Sequence, residues 1–241
     1  LPCIAPAPAD APDEVVNIDI YADGADLATM GTISGKVQGF TTNPSLMKKA
    51  SIGDYGEFAF AVLKIAAGKP VSFEVFADDF KEMERQAREI SSWGKNVFVK
   101  IPVTNTLGNP SYDLIWRLSG AGVKVNVTAL MTAQQARIAV DSLRGGGIVS
   151  VFAGRIADTG KDPMRTMRSV RAKIGPKNGT QLLWASTREV FNVLQAEESG
   201  CDIITLAPEL IGKLDHFGRN LNEYSLDTVR QFHRDAQGLR L

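Results

Sequence analysis

Lys100 interrupts an apolar strand pattern, Asn96-Val97-Phe98-Val99-Lys100-Ile101-Pro102-Val103. A cationic amine among Phe, Val and Ile is costly unless it is paired or neutral, because desolvation disfavours the charged form. An amine held neutral is a nucleophile that condenses with a carbonyl as a Schiff base. The competing reading is a lysine that snorkels to solvent from a strand end or edge. Other strand-like runs also carry polar residues, and these fall in phase. Thr41 lies two residues from Asn43, Ser72 from Glu74, Asn126 from Thr128 and Ser186 from Arg188. Lys100 shares its phase with Phe98, Ser150 with Phe152, and Asp23 with Tyr21. Residues two apart project from one face of a strand. A single buried Asn or Thr is ordinarily a satisfied core residue. Polar groups at the C-terminal ends of seven strands are not explained by packing.

These residue types make a coherent chemistry. An imine on Lys100 becomes an electron sink for cleaving or forming a C–C bond. Asp23 and Glu74 can shuttle protons through the carbinolamine and iminium steps, with the Thr128 hydroxyl holding a water. Asn43, Asn126 and Ser150 can hydrogen-bond the hydroxyls of a polyol. Arg155 and Arg188 can clamp a phosphate, aided by Ser186. Either arginine taken alone reads as a surface ion pair.

The elements that must position these groups alternate in kind. Strand-like runs lie near Asn17–Asp23, Gly39–Asn43, Pro70–Phe76, Asn96–Val103, Lys124–Leu130, Ile148–Gly154, Gln181–Thr187 and Asp202–Ala207. Between them, Asp79–Trp93 sets Phe80, Met83, Ala87 and Ile90 on one helical face. Thr132–Leu143 opens with a cap, Thr132, and has Gln135 at the capping-box position; Gly145-Gly146-Gly147 ends it. Asp162–Ile174 and Thr187–Ser199 keep the same rhythm. The pattern predicts an α/β fold, a single (β/α)8 TIM barrel, whose active site forms at the C-terminal strand ends. A doubly wound open sheet is the runner-up, though its Gly-rich first turn is missing. Ser225–Gln237 is predicted as an additional C-terminal helix capped by Ser225. Residues 1–14 are read as a flexible Ala- and Pro-rich arm, and residues 15–241 as the barrel with that helix. The chain begins at Leu1 rather than Met, which leaves open whether residues precede it.

Composition narrows the function classes. The 241 residues are 44% hydrophobic and 22% charged, with 27 basic and 27 acidic side chains interspersed, so no nucleic-acid groove or polybasic membrane patch is expected. No apolar run approaches the ~20 residues of a membrane span. Cys3 and Cys201 form neither a disulfide framework nor a zinc spacing, which makes a reducing cytoplasm the default. With only His216 and His233, a His-rich metal site or a Ser-His-Asp triad is not expected. Nucleotide phosphate-cradle motifs are absent as well.

The segments Tyr21-Ala22-Asp23-Gly24-Ala25-Asp26, Gly39-Phe40-Thr41-Thr42-Asn43-Pro44-Ser45-Leu46 and Phe98-Val99-Lys100-Ile101-Pro102-Val103-Thr104 resemble the transaldolase family. So do Asn126-Val127-Thr128, Ser150-Val151-Phe152-Ala153-Gly154-Arg155-Ile156 and Ala185-Ser186-Thr187-Arg188. The resemblance runs from about Asn17 to the C-terminal helix. It implies that Lys100 is the Schiff-base lysine, that Asp23 orients and protonates intermediates, and that Glu74 and Thr128 hold a catalytic water. It further implies that Asn43, Asn126 and Ser150 bind a dihydroxyacetone portion and that Arg155, Ser186 and Arg188 bind the sugar phosphate. Thr41 and Phe152 join the substrate-contacting set.

No metal or organic cofactor is implied. The implied reaction moves a dihydroxyacetone unit between sugar phosphates in the pentose phosphate pathway. Its partners would be fructose 6-phosphate, sedoheptulose 7-phosphate, erythrose 4-phosphate and glyceraldehyde 3-phosphate, and the protein would be a cytoplasmic homo-oligomer. Related fructose-6-phosphate aldolases release free dihydroxyacetone, and typically carry Tyr where this chain has Phe152 and Gln where it has Glu74. Both positions read as transaldolase. A third reading is a catalytically idle barrel that binds sugar phosphates, which would need no nucleophile. Val151 and Thr187 depart from the family pattern without altering a proposed functional group, and Asp26 replaces a common Asn.

Overall fold

Short runs of β-branched and aromatic residues pair in chain order and close on themselves. The computed structural model describes residues 16–176 and 179–239; the Ala- and Pro-rich arm lies outside them. The strands are β1 Asp19–Asp23, β2 Gly39–Thr41, β3 Val71–Glu74, β4 Val97–Pro102, β5 Val125–Leu130, β6 Gly147–Val151, β7 Thr180–Trp184 and β8 Ile203–Leu206. All pairings are parallel, and β8 returns to β1 to close an eight-stranded barrel. This is the predicted (β/α)8 fold. Eleven α-helices are present among the described residues. The first six are α1 Leu27–Ile33, α2 Pro44–Lys49, α3 Tyr55–Ala66, α4 Phe80–Ser92, α5 Tyr112–Gly120 and α6 Ala133–Ser142. The rest are α7 Ala153–Asp158, α8 Pro163–Ile174, α9 Asn192–Glu198, α10 Pro208–Lys213 and α11 Leu221–Asp235.

Helix starts follow their caps. Thr132 accepts from the Gln135 N–H while the Gln135 side chain accepts from the Thr132 N–H, the reciprocal box expected. Asp79 caps α4 and Asp162 caps α8. Asp26 is a cap as well, since its carboxylate accepts from Thr29 N–H and starts α1.

The lower barrel interior is apolar. Tyr21, Ile148, Leu183, Ala185 and Ile203 pack together, joined by Phe98 and Phe152. Gly39 makes room for this layer, since a Cβ there would come within 2.6 Å of the Tyr21 ring. The polar positions lie above it, toward the C-terminal strand ends.

Three expected boundaries shift where β6 and β7 end. β6 stops at Val151 and α7 begins at Ala153, two residues later. β7 stops at Trp184, and Ser186 adopts a left-handed backbone with φ 62°, so Ser186 and Arg188 sit in a loop where strand phase no longer applies. α7 forces this turn, because Gly154 lies so close beneath the Ser186 carbonyl that a Cβ would meet its oxygen at 1.6 Å. The helix expected from Thr187 accordingly begins only at Asn192.

The described residues divide into two compact units, the barrel Val16–Gly212 and a unit that includes the chain from Lys213 on. In the second unit, α11 starts a turn earlier than expected. Asn220, not Ser225, caps it by accepting from the Asn222 and Glu223 N–H groups. Among the described residues, no helix is long and apolar enough to cross a membrane.

Candidate active site

In the barrel ladder Glu74 of β3 stands directly opposite Lys100 of β4. Both side chains point inward, and Lys100 Nζ lies 3.0 Å from Glu74 Oε2. The same Nζ donates to the Thr42 carbonyl at 2.8 Å. Lys100 is only 6% exposed. The sequence expectation of an amine in apolar surroundings needs correction here. Val99 and Ile101 project to the opposite face of the strand, and the amine meets oxygen atoms. Glu74 is therefore a direct partner of the amine.

Asp23, at the end of β1, is opposite Thr41 in register. Thr41 donates its hydroxyl to Asp23 Oδ1 at 2.9 Å, and Asn43 Nδ2 approaches Asp23 Oδ2 at 3.3 Å. Asn43 also caps α2 through the Leu46 N–H, which fixes its rotamer. Burial pushes Asp23 above the usual carboxylate range, against the pull of the Lys100 ammonium and of the Thr41 and Asn43 hydrogen bonds. Thr41 Oγ1 lies 2.6 Å from Thr205 Oγ1. Since the Thr41 proton goes to Asp23, Thr205 donates to Thr41. Thr205 thus brings the eighth strand into the site. No polar residue stands in phase with it along the strand, because its neighbours two positions away are Ile203 and Ala207.

Asn126 is fully buried and holds two hydroxyls. Its Nδ2 donates to Ser72 Oγ at 3.0 Å, and Ser150 Oγ donates to its Oδ1 at 2.7 Å. Thr128 sits beside a register shift between Val127 and Leu130, where Ala129 turns left-handed with φ 61°. Its Oγ1 is buried and has no hydrogen-bond partner among the described residues. A buried hydroxyl is stabilised by an incoming polar group.

These groups surround one cavity of about 640 Å³. Asp23, Thr41, Asn43, Glu74, Lys100, Thr128, Ser150, Phe152, Arg155, Ser186 and Arg188 all line it; Asn126, lying beneath Ser150, does not. The expectation that Asn126 hydrogen-bonds a polyol directly finds it instead buried beneath that wall. At the rim, the Arg155 guanidinium lies over the Phe152 ring, 5.2 Å from its centre. Arg188 makes a two-point ion pair with Asp158 of α7, with Nε 3.2 Å from Oδ1 and Nη2 on Oδ2. One Arg188 nitrogen, Nη1, is left out of that fork. Lys49 and Ser45 of α2 also reach the cavity and were not singled out in the sequence. The floor thus carries an amine between a carboxylate and a backbone carbonyl, the wall carries hydroxyls, and the rim is cationic. Such a set can bind and rearrange a polyhydroxylated carbonyl compound with an anionic end.

A family profile described as Transaldolase/Fructose-6-phosphate aldolase matches residues 20–241. A probable transaldolase of Dehalococcoides mccartyi is 36% identical over 191 residues, covering 78% of this chain and 85% of its own. Another, of Methanococcus maripaludis, is 38% identical over 181 residues, 75% of this chain and 80% of its own. A third, of Nitrosopumilus maritimus, is 34% identical over 199 residues, 81% and 86% respectively. Among solved structures, a mandelate oxidase mutant with the monooxide FMN adduct superposes with a TM-score of 0.56 at 17% identity, over 98% of this chain and 82% of that one. That likeness speaks to the fold alone. By the profile match and these relatives, the chain belongs to the transaldolase/fructose-6-phosphate aldolase family.

Proposed function

We propose that the protein is a transaldolase that passes a dihydroxyacetone unit between sugar phosphates through an imine on Lys100. The observation that carries this reading is the Lys100 amine set between the Glu74 carboxylate and the Thr42 carbonyl, in the cavity that Asp23 also lines. Glu74 accepts a proton from the ammonium, and the freed amine adds to the ketose C2 carbonyl. Loss of the C2 oxygen as water leaves the iminium, with Asp23 supplying the proton that water formation needs. A carboxylate then takes the proton of the C4 hydroxyl, and the C3–C4 bond breaks. Its electrons move into the iminium to give an enamine, and an aldose phosphate departs. Addition of the enamine carbon to a second aldehyde and hydrolysis of the new imine complete the transfer. Thr128 holds the water through its unpaired hydroxyl, Asn43 and Ser150 face the substrate hydroxyls, and Arg155, Ser186 and Arg188 take the phosphate. Asn126 acts from below, by orienting Ser150. Fructose 6-phosphate and sedoheptulose 7-phosphate are the proposed donors, with erythrose 4-phosphate and glyceraldehyde 3-phosphate as acceptors. On family grounds we place the activity in the pentose phosphate pathway, in the cytoplasm, and in a homo-oligomer.

Phe152 favours transfer over release of free dihydroxyacetone. Its ring faces the cavity and carries no proton donor for the enamine or a water. Fructose 6-phosphate is therefore expected to give glyceraldehyde 3-phosphate at speed only when erythrose 4-phosphate is present, with little free dihydroxyacetone. Phe152→Tyr should raise the acceptor-independent rate. Borohydride added with fructose 6-phosphate should trap an adduct that peptide mass mapping places on Lys100. An adduct on another lysine, or full turnover by Lys100→Ala, would refute the imine assignment. Equally fast dihydroxyacetone release without acceptor would make the protein an aldolase.

A further inference from the structure

We infer that Tyr55 is a positioning residue for the Lys100–Glu74 pair, acting through the backbone of Glu74. The ladder between β2 and β3 pairs Phe40 with Val71 and Thr41 with Ser72, and then stops. Its last hydrogen bonds run from Phe40 N–H to the Pro70 carbonyl and from Thr42 N–H to the Ser72 carbonyl. One further step of the same parallel pattern would have Glu74 N–H donate to the Thr42 carbonyl. That bond is not made. The chain turns at Asn43 into α2, and the Thr42 carbonyl accepts from Lys100 Nζ instead.

Glu74 is then left with an N–H and a carbonyl on the side where β2 has departed. The Tyr55 hydroxyl takes both. It accepts from Glu74 N–H at 2.8 Å and donates to the Glu74 carbonyl at 2.9 Å. A phenol has one proton to give and readily accepts one, so a single hydroxyl replaces the missing strand edge. Tyr55 is itself held by its ring, which stacks on Phe76 at 4.4 Å and meets Trp93 edge-on at 5.3 Å. It is the first residue of α3, behind the Asp54 cap, and does not line the cavity. The hydroxyl therefore does two things at once. It pins the end of β3, so that the Glu74 carboxylate stays opposite the amine. It also keeps Glu74 N–H from returning to the Thr42 carbonyl and displacing Lys100.

This inference rests on the reading of Lys100 as the imine-forming residue. Tyr55→Phe keeps the ring and removes only the hydroxyl. It should slow both kcat and borohydride trapping on Lys100 by about tenfold or more, the scale of a small misplacement of reacting groups. The KM for fructose 6-phosphate should stay within about twofold, because the phosphate and hydroxyl contacts are not touched. Trp93→Leu serves as the packing control, since it loosens the ring of Tyr55 but leaves the hydroxyl. It should lower Tm while trapping proceeds at the parental rate. Parental trapping in Tyr55→Phe, or equal slowing in Trp93→Leu, would overturn the role given to the hydroxyl. Absence of any Lys100 adduct in the unaltered protein would overturn this inference together with the imine reading beneath it.

Discussion

Asp23 is half-buried at the mouth of the barrel, and its charge is set by burial against the attraction of Lys100. In an unfolded chain an aspartate ionises near pH 4, whereas in the fold Asp23 does so at higher pH. Between those two values the folded protein holds a proton that the unfolded chain has released. Stability therefore falls as pH rises through that window and stays at the lower level above it. Asp23→Asn removes this cost and keeps an acceptor for Thr41. Its Tm at pH 7 should exceed that of the unaltered protein, and the difference should vanish once the pH is below about 4. Turnover should be lost throughout. A lower Tm for Asp23→Asn at pH 7 would show that the carboxylate is net stabilising. Arg188 poses a second question at this scale, because Asp158 already occupies two of its nitrogens. The pair orients the guanidinium and leaves Nη1 outside the fork, where the proposed phosphate contact would form. A charge-assisted contact is worth roughly 1.5–3 kcal/mol, so Arg188→Ala should raise KM for phosphorylated donors by about 10- to 150-fold. Free dihydroxyacetone should be little affected. Equal losses for both substrates would assign the arginine to structure.

Single strands and helices carry most of what the residue order alone discloses. The period-2 placement of Asp23, Thr41, Glu74, Lys100, Thr128 and Ser150 was legible because each sits near the C-terminal end of an apolar run. Parallel pairing in chain order then brings those ends together. Caps such as Thr132 with Gln135 were equally local and equally legible. The pattern loses its meaning where a neighbour decides the backbone. Ser186 leaves strand geometry because α7 presses Gly154 under its carbonyl, and nothing within the Ala185–Arg188 segment announces that contact. Asn126 shows a different limit. Phase tells which side of the strand a residue takes, but not whether the space there is cavity or the side chains of Ser72 and Ser150. Tyr55 is beyond reach for a third reason. Its partner is a backbone left over by a ladder that ends early, which no local pattern encodes. Lys100 is conspicuous for its apolar neighbours, yet the two adjacent ones, Val99 and Ile101, face away from its amine.

The whole barrel is needed for one site. Each strand, or the loop that follows it, supplies a cavity-lining residue: Asp23, Thr41, Glu74, Lys100, Thr128, Ser150, Ser186 and Thr205 in chain order. The ladder closes through β1 and β8, where Tyr21 pairs with Thr205, so no strand can leave without opening two interfaces. Opening the β2–β3 seam separates the Thr205–Thr41–Asp23 chain from the Lys100–Glu74 pair, and opening β8–β1, β1–β2 or β3–β4 splits one of them. Loss of the site and loss of the barrel should therefore be a single event. In a urea titration, donor-dependent borohydride trapping on Lys100 and the strand and helix signal in far-UV circular dichroism should fall with one midpoint. The site loops share in this, because Thr187 is tied to the β8 carbonyl of Thr205 and Arg188 to α7. Trapping lost at lower urea, with circular dichroism still intact, would show that the site is held by loops melting on their own. Coincident curves from two such different probes are the expected result of cooperative unfolding of the closed sheet.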